Sequence, residues 1–132
     1  MRVRLDTIPH VLQRYNTAGD WVYDRAVYGE DELVISVSEM QNWRYEALIA
    51  VHELVEAILC REANVSEKEV DDFDKAWEGF GEPGDSPKAP YYRQHQIATV
   101  VERLLAAELG VDWVKYEASF ELLDKEWRDG VK

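Results

Sequence analysis

Basic residues are scarce in this sequence. Lys and Arg number 15 against 27 Asp and Glu, which leaves a formal net charge of −12. Nucleic acid carries dense negative charge, so a chain this acidic is repelled from it unless a local basic patch or a metal intervenes. No basic run longer than two residues exists to supply such a patch. Anionic membrane surfaces are disfavoured on the same ground. Cysteine is almost missing: Cys60 stands alone, so an internal disulfide and a CxxC zinc ribbon are both excluded. Long apolar runs are missing too. No uninterrupted stretch approaches the ~20 residues needed to span a bilayer. The opening Met1-Arg2-Val3-Arg4-Leu5-Asp6 lacks the apolar stretch of a signal peptide. The expectation is a soluble cytoplasmic protein. Of the 132 residues, 46% are hydrophobic and 32% charged, enough to build a core and too apolar for intrinsic disorder. That length suits one domain, residues 1–132.

The first forty residues read as strands. Val3-Arg4-Leu5 alternates weakly and stops before Pro9, while Asp20-Trp21-Val22-Tyr23 and Leu33-Val34-Ile35-Ser36-Val37 are rich in β-branched and aromatic residues. Gly29-Glu30-Asp31-Glu32 offers a turn between the last two, which predicts a small antiparallel sheet. From Trp43 the period becomes helical. A first helix is expected over Trp43–Arg61, with no Gly or Pro inside it. Ser66-Glu67-Lys68-Glu69 matches a capping box and opens a second, reaching about Gly79. The stretch from Gly79 to Pro90 is a loop by composition. A third helix should run from Tyr91 to Leu109 and stop at Gly110. Asp112 can cap a fourth that ends near Trp127. The fold class expected is α+β: a small N-terminal antiparallel sheet followed by about four helices.

The first helix carries the chemical signal. Among Ala47 to Cys60 only His52, Glu53 and Glu56 are polar. Leu48, Val51, Leu54, Val55, Ile58 and Leu59 cover one arc, and Ile49, Ala57 and Cys60 continue it, so the helix should be buried nearly all round. With His52 at zero, Glu56 falls at roughly 40° and Glu53 at roughly 100°, forming one polar notch. Buried carboxylates beside an imidazole need compensation, from a metal cation, from solvent in a cleft, or from Lys or Arg such as Arg44, Arg93 or Arg103. The i, i+4 pair His52 and Glu56 presents a nitrogen and an oxygen on one face, as a helical metal site requires. His95, on the third helix, is the natural further ligand. Glu102, two turns on, could be a fourth ligand or a hydrogen-bonding partner behind the first ones. Ile97, Val101, Leu104 and Leu105 are expected to face the core. His10, just after Pro9, reads as a solvated loop residue.

The run Tyr45-Glu46-Ala47-Leu48-Ile49-Ala50-Val51-His52-Glu53-Leu54-Val55-Glu56-Ala57-Ile58-Leu59 resembles the active-site helix of compact zincin metallopeptidases. In those, HExxH follows a small sheet, two His bind zinc and the Glu activates water. The resemblance implies a zincin-like fold, with His52 a zinc ligand and Glu53 the general base. Glu56 stands where the family has its second His. A carboxylate ligates zinc through oxygen but donates more negative charge, which opens the site to manganese, iron or magnesium beside zinc. The implied activity is hydrolysis of a peptide or small-molecule substrate. The cation lowers the pKa of water, Glu53 takes its proton, and hydroxide attacks a carbonyl or phosphoryl centre. Tyr45, Tyr91, Tyr92 and Arg93 are candidates for stabilising the oxyanion. Gly19-Asp20-Trp21, Trp43-Arg44-Tyr45 and Glu82-Pro83-Gly84-Asp85 also resemble small proteins of phage and bacterial genomes, a likeness that implies no activity.

Two other readings compete. Glu53-x-x-Glu56 followed by Glu69-x-x-Asp72 satisfies the ExxE…ExxD pattern of all-α nucleotide pyrophosphohydrolases, which hold magnesium. Alternatively, an acidic non-enzymatic protein could bind a basic protein partner, with the His/Glu cluster purely structural.

Overall fold

The computed structural model describes residues 1–25 and 31–130. Three strands come first: β1 (Arg2–Ile8), β2 (Gly19–Arg25) and β3 (Asp31–Ser38). Four helices follow: α1 (Trp43–Glu62), α2 (Glu67–Ala76), α3 (Tyr92–Glu108) and α4 (Trp113–Gly130). Short 3-10 turns occupy His10–Leu12 and Pro83–Asp85. This is the α+β order expected from the sequence. Of the expected turn, Gly29 and Glu30 lie outside the described residues, whereas Asp31 and Glu32 open β3. No helix among the described residues is long and apolar enough to cross a membrane.

The sheet is mixed rather than wholly antiparallel. Its order is β1-β3-β2, with β2 antiparallel to β3 (Trp21 opposite Ile35) and β1 parallel to it (Leu5 beside Ile35). The hydrophobic pattern explains the order. Leu33, Ile35 and Val37 alternate along β3 and are fully buried, so β3 takes the centre, where neighbours on both sides and α1 shield it. β1 carries Arg2, Arg4 and Asp6 and takes an edge, where charged side chains reach water. Truncating Ile35 leaves a cavity at the centre of this layer. Ile35→Ala is expected to lower stability by about 2–5 kcal/mol, read from the shift of a urea unfolding midpoint.

The helix boundaries follow local chemistry. Asn42 Oδ1 accepts from the amides of Arg44 and Tyr45 (3.1 and 3.2 Å) and starts α1. Ser66 and Glu69 form the expected capping box of α2. Asp112 Oδ1 accepts from Lys115 N (3.2 Å) at the start of α4. After α3, Gly110 adopts a φ of +65°, a left-handed conformation that favours glycine.

Three expectations about faces are corrected. α1 is not buried all round. Its buried side is Leu48, Ile49, Ala50, His52, Glu56, Ala57 and Cys60, so the polar notch lies at the heart of the packed face, while Ile58 is exposed. On α3 the inward residues are His95, Ala98, Glu102 and Ala106, whereas Ile97 and Leu104 are exposed and Val101 and Leu105 half-buried. Small alanines let α3 approach α1 closely, and the polar partners waiting on α1 choose the face. His10 is buried, not solvated. Its Nδ1 meets Ser38 Oγ and its Nε2 meets Asn16 Oδ1, both at 2.8 Å, and its ring packs edge-on against Trp127. Hydrogen bonds on both nitrogens replace the water this imidazole gives up.

Candidate metal centre

One turn of α1 separates His52 from Glu56, and α3 brings His95 against them. His52 Nε2, Glu56 Oε2 and His95 Nδ1 form a triangle with sides of 3.1, 3.0 and 3.2 Å. All three residues are buried, at 7%, 4% and 5% exposure. Ligand atoms about 2.0–2.2 Å from a tetrahedral zinc lie roughly 3.3–3.6 Å from one another. The triangle is only a few tenths of an ångström tighter than that geometry.

The groups behind the triangle give it its character. His52 Nδ1 faces Glu102 Oε1 at 2.8 Å, and Glu102 Oε2 in turn accepts from the Tyr116 hydroxyl at 2.5 Å. His95 Nε2 faces Glu82 Oε2 at 3.3 Å and Asp85 Oδ1 at 3.2 Å. Glu56 Oε1 accepts from Trp21 Nε1 at 3.1 Å. Each imidazole therefore has a carboxylate on its far nitrogen, which fixes the proton there and turns the near nitrogen's lone pair inward. His52 Nε2, His95 Nδ1 and Glu56 Oε2 therefore converge on one point, an arrangement that needs protons or a cation between them.

Electrostatics point the same way. Burial by itself would lower the pKa of both imidazoles, but the surrounding carboxylates outweigh it. Glu102 and Glu56 hold His52 well above its ordinary value, and Glu56 and Glu82 bring His95 up to about 10. Burial would raise Glu56, yet the two imidazoles pull it down to about 2. Arginine does not supply the compensation. Arg44 lies over Trp43, Arg103 over Trp113, Arg93 is exposed, and Arg14 is engaged by Asp20 and Asp71. Among the described residues no Lys or Arg ion-pairs with the cluster.

Glu53 is not part of the triangle. Its side chain turns toward the start of β2, where a Cβ on Gly19 would fall 2.6 Å from Glu53 Cγ and 2.8 Å from Oε1. Gly19 therefore makes room for it. Burial first, then the charge of Glu56, hold the Glu53 carboxyl well above the usual carboxylate range. Glu102, offered by the sequence as a fourth ligand or a supporting partner, takes the supporting place on His52 Nδ1. Glu102→Gln is expected to weaken cation binding about 10–100-fold while leaving the triangle's atoms in place, measured by titration calorimetry.

Sequence reasoning missed Trp21, Tyr116, Glu82 and Asp85. Only the last two had a signal, as the acidic residues of the loop preceding His95. Gly84 between them fits because a Cβ there would fall 2.4 Å from the His95 ring. Of the oxyanion candidates, Tyr91 packs edge-on against the His95 ring but donates its hydroxyl to Asp74, Tyr45 packs on Tyr116, and Tyr92 and Arg93 are exposed. The second half of the ExxE…ExxD pattern lies apart from the triangle. Glu69 serves the capping box and Asp72 pairs with Lys68, both on the exposed side of α2. Trp21 also lines an open cleft of about 550 Å³ with Tyr23, Arg61, Ser66 and Glu67, a cleft that none of His52, Glu53, Glu56 and His95 lines. No family model, curated protein or solved structure matches this chain, so its centre is defined by its own geometry alone.

Proposed function

We propose that the protein binds a divalent cation at His52, Glu56 and His95 and uses it in a zincin-like hydrolase. The observation that supports this reading is the convergence of His52 Nε2, Glu56 Oε2 and His95 Nδ1, with a carboxylate behind each imidazole. Two imidazole nitrogens and one carboxylate oxygen suit zinc first, with manganese and iron next. Magnesium prefers an all-oxygen shell. When bound, the cation supplies Lewis acidity and makes water acidic enough to lose a proton near neutral pH. Glu53 is the proton acceptor in this reading, burial making its carboxylate a stronger base than an exposed one. Trp21 and Glu102 hold the ligands in orientation.

A cation that only braces α1 against α3 is the second reading. The burial of all three ligands favours it, because catalytic centres keep an open position for substrate. Glu53→Gln separates the two. Under the hydrolase reading it keeps the cation and loses turnover of peptide and phosphoester substrates. Under the bracing reading neither protein turns them over, and only the ligand variants have an effect.

A further inference from the structure

The two edges of the sheet are treated differently. On β2 the amide of Tyr23 donates to the Glu67 carboxylate of α2, so that edge is covered. On β1 nothing among the described residues pairs with the outer edge, and Arg2 to Thr7 are exposed on both faces of the strand. Ile8 O accepts from Glu39 N at 2.8 Å, which fixes the parity of the strand. Even-numbered residues of β1 turn their amides and carbonyls toward β3, and Val3, Leu5 and Thr7 turn theirs outward. Seven residues of open edge, with Val3 and Leu5 at 48% and 47% exposure, form a template for a further strand.

The sequence of β1 specifies which strand fits. When β1 is laid antiparallel against a second copy and centred on Leu5, all seven residues pair, and Leu5 meets the partner's Leu5. Arg4 then faces the partner's Asp6, and Asp6 faces the partner's Arg4. Within one chain Arg4 already lies 3.2 Å from Asp6 Oδ2 and 3.1 Å from Glu32 Oε1, so across the two-fold each Arg4 is flanked by carboxylates of both chains. On the other face Val3 meets the partner's Thr7, extending the apolar side that carries Leu33, Ile35 and Val37. This register uses the outward amides of Leu5 as a hydrogen-bonded pair, as the parity requires. Moving the centre to Arg4 would oppose that residue to its own copy, a like-charge pair that costs stability. The strand also carries two Arg against one Asp in a chain of net charge −12, so it is among the surfaces where two copies repel least.

We infer that the chain forms a two-fold dimer through β1, giving a continuous six-stranded sheet in the order β2-β3-β1-β1-β3-β2. Sedimentation equilibrium of the full chain, from about 1 to 200 µM, tests this. The expected species has twice the 15.3 kDa mass of the chain. Leu5→Pro removes an outward amide without touching the β3 ladder and is expected to give a monomer with an unchanged circular dichroism spectrum. Arg4→Glu alone and Asp6→Lys alone each oppose like charges twice and should weaken association about tenfold. Mixing these two variants places opposite charges at both pairs and should restore a mixed dimer. The charge variants decide the matter if Leu5→Pro unfolds. A wild-type chain that stays monomeric overturns the inference. So does a dimer that survives Leu5→Pro, or two charge variants that do not reassemble when mixed. Each of these outcomes would leave the edge open for a foreign strand or for none.

Discussion

His52→Ala and His95→Ala are each expected to weaken zinc binding by more than about 100-fold, beyond the 10–100-fold range for supporting partners. Each substitution removes one of only three atoms that meet at the centre. A cation bound to the folded chain alone stabilises it by about 2.7 kcal/mol at a hundred times its dissociation constant. For a domain of this size that corresponds to a rise in Tm on the order of 10 °C, and both variants should lose it. The binding is linked to protons. Without a cation His95 has a pKa near 10, so it is protonated at neutral pH and must release a proton when a cation takes Nδ1. His52 is raised as well, so both imidazoles release protons on binding, and apparent affinity rises with pH and falls as pH drops. Calorimetry in buffers of different ionisation enthalpy reads that proton release directly.

Glu53→Gln is expected to act on turnover alone. Its carboxylate is not one of the three converging atoms, so zinc stoichiometry and affinity should stay within about twofold of wild type. Hydrolysis should fall by about 10²–10⁴, the usual contribution of a positioned general base. The amide keeps the shape against Gly19 but cannot accept a proton, so the loss belongs to kcat rather than KM. A variant that loses zinc together with activity would instead make Glu53 part of the ligand set.

The centre was partly written in the sequence. His52 and Glu56 share a face because four residues make about one helical turn, and that holds wherever the helix packs. The same period put His95 and Glu102 on one face of α3, two turns apart. Their distribution between ligand and supporting roles was not legible, since it depends on how far α3 slides along α1. Trp21 and Tyr116 were invisible for a similar reason: their polar atoms reach Glu56 and Glu102 across 35 and 14 residues of chain, with no local pattern to announce them. The mixed sheet escaped because strand strength and strand partner are different properties. β-Branched residues marked β3 as a strand, but not that β1 would lie parallel beside it. The faces of α3 were misjudged because large apolar residues were expected to point inward. A helix that buries His95 and Glu102 against partners on α1 must turn Ile97 and Leu104 outward.

Elemental analysis of the purified, untagged protein beside its His52→Ala and His95→Ala variants tests the metal centre most directly. The expected result is one zinc, manganese or iron per wild-type chain and none in either variant. Wild-type protein that carries no cation, and whose Tm does not move when zinc, manganese or iron is added, would contradict it. The triangle would then be a proton-bridged network holding α1 to α3.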